Sequence, residues 1–438
     1  MNNSSLTTRT PRQSNFELLR IIAMLMIVAS HWGWGMYGVN PQGSDNIYFY
    51  HMFRAFGQVG VNIFIFISGY FLVKSRFKIS TVLRLCLEVV FYSLALIFAN
   101  MIFELNTDLS YNFATFFKAV FFLFGGGYWF INAYIVFYLI HPFLNLLISK
   151  ISQSQLLFLL CFMLSVTVIF PTLYPSFFPI SGTTCNLVFF VTVYFFGAYI
   201  RLYPESFENI FVIIGGLLIS GSIYFCSVLV PIKYNASSYN FQYKYNVCLF
   251  TFSLFIFLLF RKIKLGEIKI INLISSTTFG VYLLHENTIV RKTIWNDIFK
   301  IDELYKTDKF VSVSLLSVAV VFLCCSAIDL VRIYLLERPL FRLLDKRLSR
   351  FYQNAESLLP QRPIYETVSR KIPAFYLHYF VIFAVTIFSY SAEKAKLFDG
   401  MSAISLFCIG TAVFYFIWFA SRAAFRKLKK QSIKHSVL

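Results

Sequence analysis

Arg20 and His31 stand eleven residues apart in the first long apolar run of the chain, 16–38. In a helix of about 3.6 residues per turn, eleven steps return to nearly the same face, roughly 16 Å further along the axis. Arg20 therefore lies near one mouth of a membrane span and His31 in its far half, on one line. A cationic anchor and a titratable base on a single stripe suit a long anionic donor entering from the arginine side. Plainer readings fit the same spacing. Arg20 can snorkel to lipid headgroups, and His31 can hydrogen-bond a neighbouring helix. The run opens with Ser14-Asn15-Phe16-Glu17, an S-x-x-E pattern that predicts a capping box.

A second imidazole and a carboxylate, His285-Glu286, fall at the far end of another apolar run, 273–290, after Ser275-Ser276-Thr277-Thr278-Phe279-Gly280-Val281-Tyr282. Topology puts them on the same side of the membrane as His31. Two imidazoles and a carboxylate facing one side are what general acid–base work on an external hydroxyl needs; the sequence does not say whether they converge. Ionisable groups inside spans are costly and are functional candidates by default. Ser68 could act as a nucleophile only with a base beside it. Trp129 is by type an interfacial anchor. Both are carried as candidates for contact with substrate. Gly57, Gly60 and Gly69 read as sites of close helix packing. Arg84 and Glu88, four apart, are expected to pair on one helix face, although a guanidinium there also suits phosphate recognition, as does Arg76.

The elements that must hold these groups are set by composition. The hydrophobic fraction is 58% and charged residues make up only 13%, with 54 Phe and 27 Tyr. That is too little polar surface for a water-soluble domain. Long unbroken apolar runs predict helices rather than a barrel. The expected fold is an all-α polytopic transmembrane bundle of ten core spans plus two C-terminal ones. The spans are read at 16–38, 55–74, 81–103, 128–149, 155–173, 183–202, 209–230, 244–260, 273–290, 310–335, 374–390 and 402–420. The short stretch 112–124 reads as re-entrant or interfacial. No cleavable leader is evident, since a polar segment precedes the first run. Residues 1–345 form the expected main domain, 346–372 a basic connector, and 373–438 two further spans with a basic tail.

The net charge of +19 is a topology signal. With the N-terminus inside, 28 of the 39 Lys and Arg fall on the inner segments and 11 on the outer. This bias predicts both termini in the cytosol. The inner charge suits anionic lipid, and nucleic acid is not an expected partner. The eight cysteines lie mostly within apolar runs and show no C-x-x-C or Cys/His spacing, so neither a metal site nor a disulfide framework is expected.

Several blocks carry a family resemblance. Asn15-Phe16-Glu17-Leu18-Leu19-Arg20 through Ala29-Ser30-His31 resembles the R-x10-H signature of the acyltransferase family 3 proteins. So do Gly60-Val61-Asn62-Ile63-Phe64 with Ile67-Ser68-Gly69-Tyr70-Phe71, Tyr128-Trp129-Phe130, Phe279 through His285, and Glu337-Arg338-Pro339-Leu340. The resemblance covers about residues 15–345, with the blocks in the family's order. It implies ten core helices and a cytosolic acyl-CoA donor, usually acetyl-CoA, as co-substrate rather than a permanently bound cofactor. It also implies transfer to a hydroxyl of an extracytoplasmic polysaccharide or its lipid-linked precursor, in a bacterial inner membrane. The positions matching Arg20 and His31 are required in that family. On this reading Arg20 holds the donor phosphates, with Arg84 and Arg76 as weaker candidates, and His31 is the base or a transient acyl carrier. His285 and Glu286 then position the acceptor or orient His31. The chain is expected to lack the extracytoplasmic hydrolase domain of fused members. A different class, a lipid-linked glycan transporter or polymerase, remains the alternative. A non-enzymatic membrane scaffold leaves the Arg20/His31 stripe unexplained.

Overall fold

The computed structural model describes residues 12–36, 44–106, 109–125, 127–173, 183–233 and 246–360, with single positions at 385 and 411. The two expected C-terminal spans and most of the connector lie outside the described residues. No strand occurs among the described residues, and the chain is an all-α polytopic helical protein.

The first helix, α1, runs Ser14–Trp32 and is followed by a 3-10 turn, Gly33–Met36. The capping box does not form. Gln13 is the N-cap and makes no side-chain cap bond. Ser14 Oγ instead donates to Asn272 Oδ1 (3.0 Å) and accepts the Ile268 N–H (2.8 Å), while Asn15 donates to the Phe260 carbonyl (2.9 Å). Partners some 250 residues away outcompete the local pattern and pin the start of α1 into the bundle.

Helix α2, Asn46–Leu72, packs against α1 along the glycines singled out above. A Cβ on Gly57 would strike the Ser30 side chain, and one on Gly60 the Ala23 carbonyl. Gly69 lies against the Tyr194 backbone of a later helix, and Gly197 of that helix lies against Phe66 in return. Small residues bring the backbones together where apolar driving force is absent.

Helix α3 spans Ile79–Phe103, and the short α4, Phe113–Val120, carries exposed Phe113 and Phe117 on one face, far too short to cross a membrane. Helix α5, Trp129–Lys150, starts beside Gly127-Tyr128. Helix α6, Gln153–Leu164, continues through a π-helical turn to Leu173, and α7 (Thr183–Leu202), α8 (Ile210–Lys233) and α9 (Val247–Lys262) follow. Among the described residues, seven helices are long and apolar enough to cross a membrane. Their outward faces carry residues such as Ile102, Phe158, Phe211 and Leu316, as lipid contact demands.

The expected span 273–290 is not one helix. It is α10, Lys269–Ser275, then a break, then α11, Thr278–His285. At the break Ser276, Thr277 and Thr278 turn their hydroxyls back to the carbonyls of Leu273, Ile274 and Ser275 (2.6, 2.7 and 2.9 Å). Such back-bonding competes with the helix ladder, and a broken helix is tolerated at membrane depth where it lines a cavity.

Helix α12, Phe310–Arg332, passes through a π-helical turn, Ile333–Glu337, into α13, Arg338–Ser357. Pro339 sits in the first turn of α13, where a missing N–H costs least. The expected span end at 335 is thus a continuing helix. It folds back on α3, where Glu356 accepts the Ile79 N–H (2.9 Å).

Polar bonds between distant segments gather loop and helix-end residues into two groups. Arg84 meets Asp345, Arg201 meets Tyr70, and Arg261 meets Glu208, all at the basic end. Asn46 meets the Tyr305 carbonyl, Thr293 the Leu105 carbonyl and Asn296 the Gly35 carbonyl at the other.

Candidate active site

One cavity of about 320 Å³ runs beside α1. Its wall includes Arg20, Met24, Ile27 and His31, at steps of four, three and four along one helix face. The stripe read from spacing is therefore a single continuous wall, with Arg20 toward the basic end and His31 toward the other. Helix α2 adds Gly57, Gln58 and Ser68, α5 adds Trp129 to Ile131 and Tyr134, and the broken helix adds Ser275, Thr278 and Tyr282.

Arg20 is held by Glu17 one turn back. Its Nη1 donates to both carboxylate oxygens (2.8 and 2.9 Å), and Ser275 donates to Glu17 Oε2 (2.6 Å). Glu17, read as a capping residue, instead orients the guanidinium toward the cavity and ties it to the break in the opposite helix.

His31 meets the second histidine. Its Nδ1 is 2.9 Å from His285 Nε2, and Glu286 Oε2 lies 3.1 Å from the same Nδ1, at ion-pair distance but out of hydrogen-bond alignment. The tautomers follow from the one partner that can only accept. His285 Nδ1 faces the Val281 carbonyl at 2.5 Å, so Nδ1 carries the proton. Neutral His285 then offers Nε2 as an acceptor, His31 donates from Nδ1, and the lone pair of His31 sits on Nε2. That is the arrangement of an oriented base with a carboxylate beside it to stabilise the imidazolium. Glu286 is in turn approached by Arg291 (3.7 Å), whose guanidinium lies over the Trp34 ring.

The other candidates separate. Ser68 lines the cavity, but its hydroxyl donates to the Phe64 carbonyl (2.9 Å) and otherwise meets only the Tyr134 hydroxyl (3.3 Å). Neither partner is a base that could activate it as a nucleophile. Trp129 faces the cavity rather than serving only as an interfacial anchor. Arg84 does not pair with Glu88. It reaches Asp345 (3.2 Å) and Glu337 (3.7 Å) with its guanidinium over Phe341. Glu88 is taken by Arg332 (2.8 Å), a buried cation that also holds Asp329 and Glu337. A buried guanidinium needs carboxylates more than an exposed one does, and that competition overrides the local spacing. Arg84 and exposed Arg76 are not among the cavity-lining residues.

Two cavity residues and one neighbour of the cavity went unassigned in sequence. Tyr282 is 6% exposed with no acceptor for its hydroxyl proton, and Gln58 has an unpartnered buried carbonyl oxygen. Tyr128 donates to the Leu283 carbonyl (2.9 Å) and accepts from Asn287 (2.7 Å), tying the start of α5 to α11. The only sequence signal for Gln58 was a polar residue between Gly57 and Gly60 in an apolar run.

Residues 13–329 match the family described as an acyltransferase domain, acyltransferase family 3, which covers well over half of the chain. No curated protein and no solved structure matches. The cavity with its arginine at one end and its oriented histidine at the other lies wholly within the matched segment, and the chain belongs to the acyltransferase family 3 as a membrane acyltransferase.

Proposed function

We propose that the protein is an O-acyltransferase of a bacterial inner membrane, with both termini cytosolic. It moves an acyl group, acetyl above all, from cytosolic acyl-CoA to a hydroxyl of an extracytoplasmic polysaccharide or its lipid-linked precursor. The observation that carries this reading is the single cavity joining Arg20 to His31. A donor that is anionic at one end and reactive at the other matches it in polarity and length.

In this mechanism Arg20, steadied by Glu17, binds donor phosphate from the basic end. The thioester lies beside His31. The acceptor hydroxyl enters from the other end, gives its proton to His31 Nε2 and attacks the thioester carbonyl. His285 keeps His31 in the required tautomer, and Glu286 stabilises the imidazolium. The imidazolium then protonates the departing thiolate. Ser68 and Trp129 contact the acyl or acceptor chain. Anionic lipid and the acceptor glycan are the expected partners.

Labelled acetyl-CoA supplied to inside-out membrane vesicles tests this. The expected result is alkali-labile label in the glycan fraction, absent when His31→Ala replaces the wild type. Glycan crossing the membrane with no thiol released would contradict acyl transfer and favour the transporter.

A further inference from the structure

An acyl transfer needs donors aimed at the oxygen that becomes negative in the tetrahedral intermediate, and the groups above supply none. The first turn of α5 does. Phe130 and Ile131 both line the cavity. The first intrahelical N–H of α5 is that of Asn132, which reaches the Tyr128 carbonyl (3.1 Å), and Tyr128 provides no side-chain cap. The N–H groups of Phe130 and Ile131 therefore have no partner in their own helix. A 22-residue helix adds its partial positive charge at that end.

A second observation points to the same place. Tyr282 projects from α11 into the cavity, 94% buried, and its hydroxyl proton has no acceptor. A buried phenol left so is costly unless a ligand satisfies it. Its ring lies 6.1 Å from Phe130 and 6.3 Å from His31, between the helix start and the base. The Phe130 N–H faces its oxygen. Tyr128 locks this geometry, because its hydroxyl bonds the carbonyl of Leu283, the residue after Tyr282.

We propose that the Tyr282 hydroxyl, steadied by the Phe130 N–H, and the Ile131 N–H in the first turn of α5 form the oxyanion hole for the acyl transfer, an inference that rests on the function proposed above. The acceptor oxygen bonds to the thioester carbon and its proton passes to His31. The carbonyl electron pair moves onto oxygen, facing the Tyr282 hydroxyl and the Ile131 N–H. Collapse restores the carbonyl, breaks the carbon–sulfur bond and sends the thiolate away with the proton from His31. Water is scarce at this depth, so such donors count for more than in solution.

The test uses the full-length protein in inside-out vesicles with labelled acetyl-CoA, rates normalised to inserted protein. Tyr282→Phe is expected to lower kcat by about 10²- to 10³-fold, with the apparent KM for acetyl-CoA within about twofold of wild type. Replacing Tyr282 with mono- and difluorotyrosine, which keep the shape but strengthen the donor, is expected to change kcat in step with phenol acidity. A purely structural tyrosine gives no such trend, so a flat series overturns the proposal even if Tyr282→Phe fails to insert. Near-wild-type kcat in Tyr282→Phe overturns it too. A wild type that transfers no label overturns the acyltransfer reading and this one with it, whereas an active wild type with a flat series overturns the oxyanion hole alone.

Discussion

His31 Nδ1 lies 2.9 Å from His285 Nε2 across 254 positions of sequence. Because the Val281 carbonyl commits His285 to one tautomer, the contact also decides which nitrogen of His31 is basic. His285→Ala is expected to leave the protein inserted and to lower kcat by about 10²-fold or more, as when an orienting partner is removed from a catalytic imidazole. His285→Gln, which offers an acceptor oxygen to the same N–H, is expected to recover part of the loss. Initial rates of label transfer at saturating donor check both.

Glu286 faces the same nitrogen as a charge rather than as an aligned hydrogen bond. Glu286→Gln keeps the shape but removes the charge that stabilises the imidazolium. A loss in kcat with little change in donor KM is expected, and a steady-state comparison with wild type reads it directly.

Arg20 tests the other end of the cavity. Loss of a charge-assisted hydrogen bond is worth about 1.5–3 kcal/mol, so Arg20→Ala is expected to raise the apparent KM for acetyl-CoA about ten- to hundredfold. Arg20→Lys is expected to recover only part of this, since an ammonium cannot keep the fork that Glu17 orients. Competition by free CoA, measured for each variant, gives the affinity independently of turnover.

The buried cluster around Arg332 lies outside the cavity and is expected to govern stability rather than chemistry. Arg332→Met strands Glu88 and Asp329, both in contact with the guanidinium. Breaking such a pair costs about 3–5 kcal/mol. Gly280 is the matching steric test, because a Cβ there would strike the Asp329 carboxylate, and overpacking of this kind costs about 1–3 kcal/mol. Both variants should melt earlier in detergent, with activity per folded molecule close to wild type.

Local periodicity made the Arg20–His31 wall legible, because one helix carries both residues and a helix has a fixed repeat. The small-residue packing of Gly57, Gly60 and Gly69 was legible for the same reason. What failed were local pairings overruled by distant partners. Ser14 turned to Asn272 and Ile268, Glu17 to Ser275 while also holding nearby Arg20, and Arg84 gave up Glu88 to Arg332. The break at Ser276-Thr277 was hidden because hydropathy averages over a window while three hydroxyls act within one turn. Convergence of His31 with His285 and Glu286 depends on the packing of α1 against α11, which no single segment encodes. The spans expected at 374–390 and 402–420 lie outside the described residues.

The most direct measurement is NMR of the surface polysaccharide from a deletion strain carrying either the wild-type protein or His31→Ala at equal membrane levels. Ester-linked acyl signals are expected to be restored by the wild type alone, with the glycan otherwise unchanged. Equal ester signals from both strains would contradict that expectation, as would unaltered esters with lost or shortened glycan.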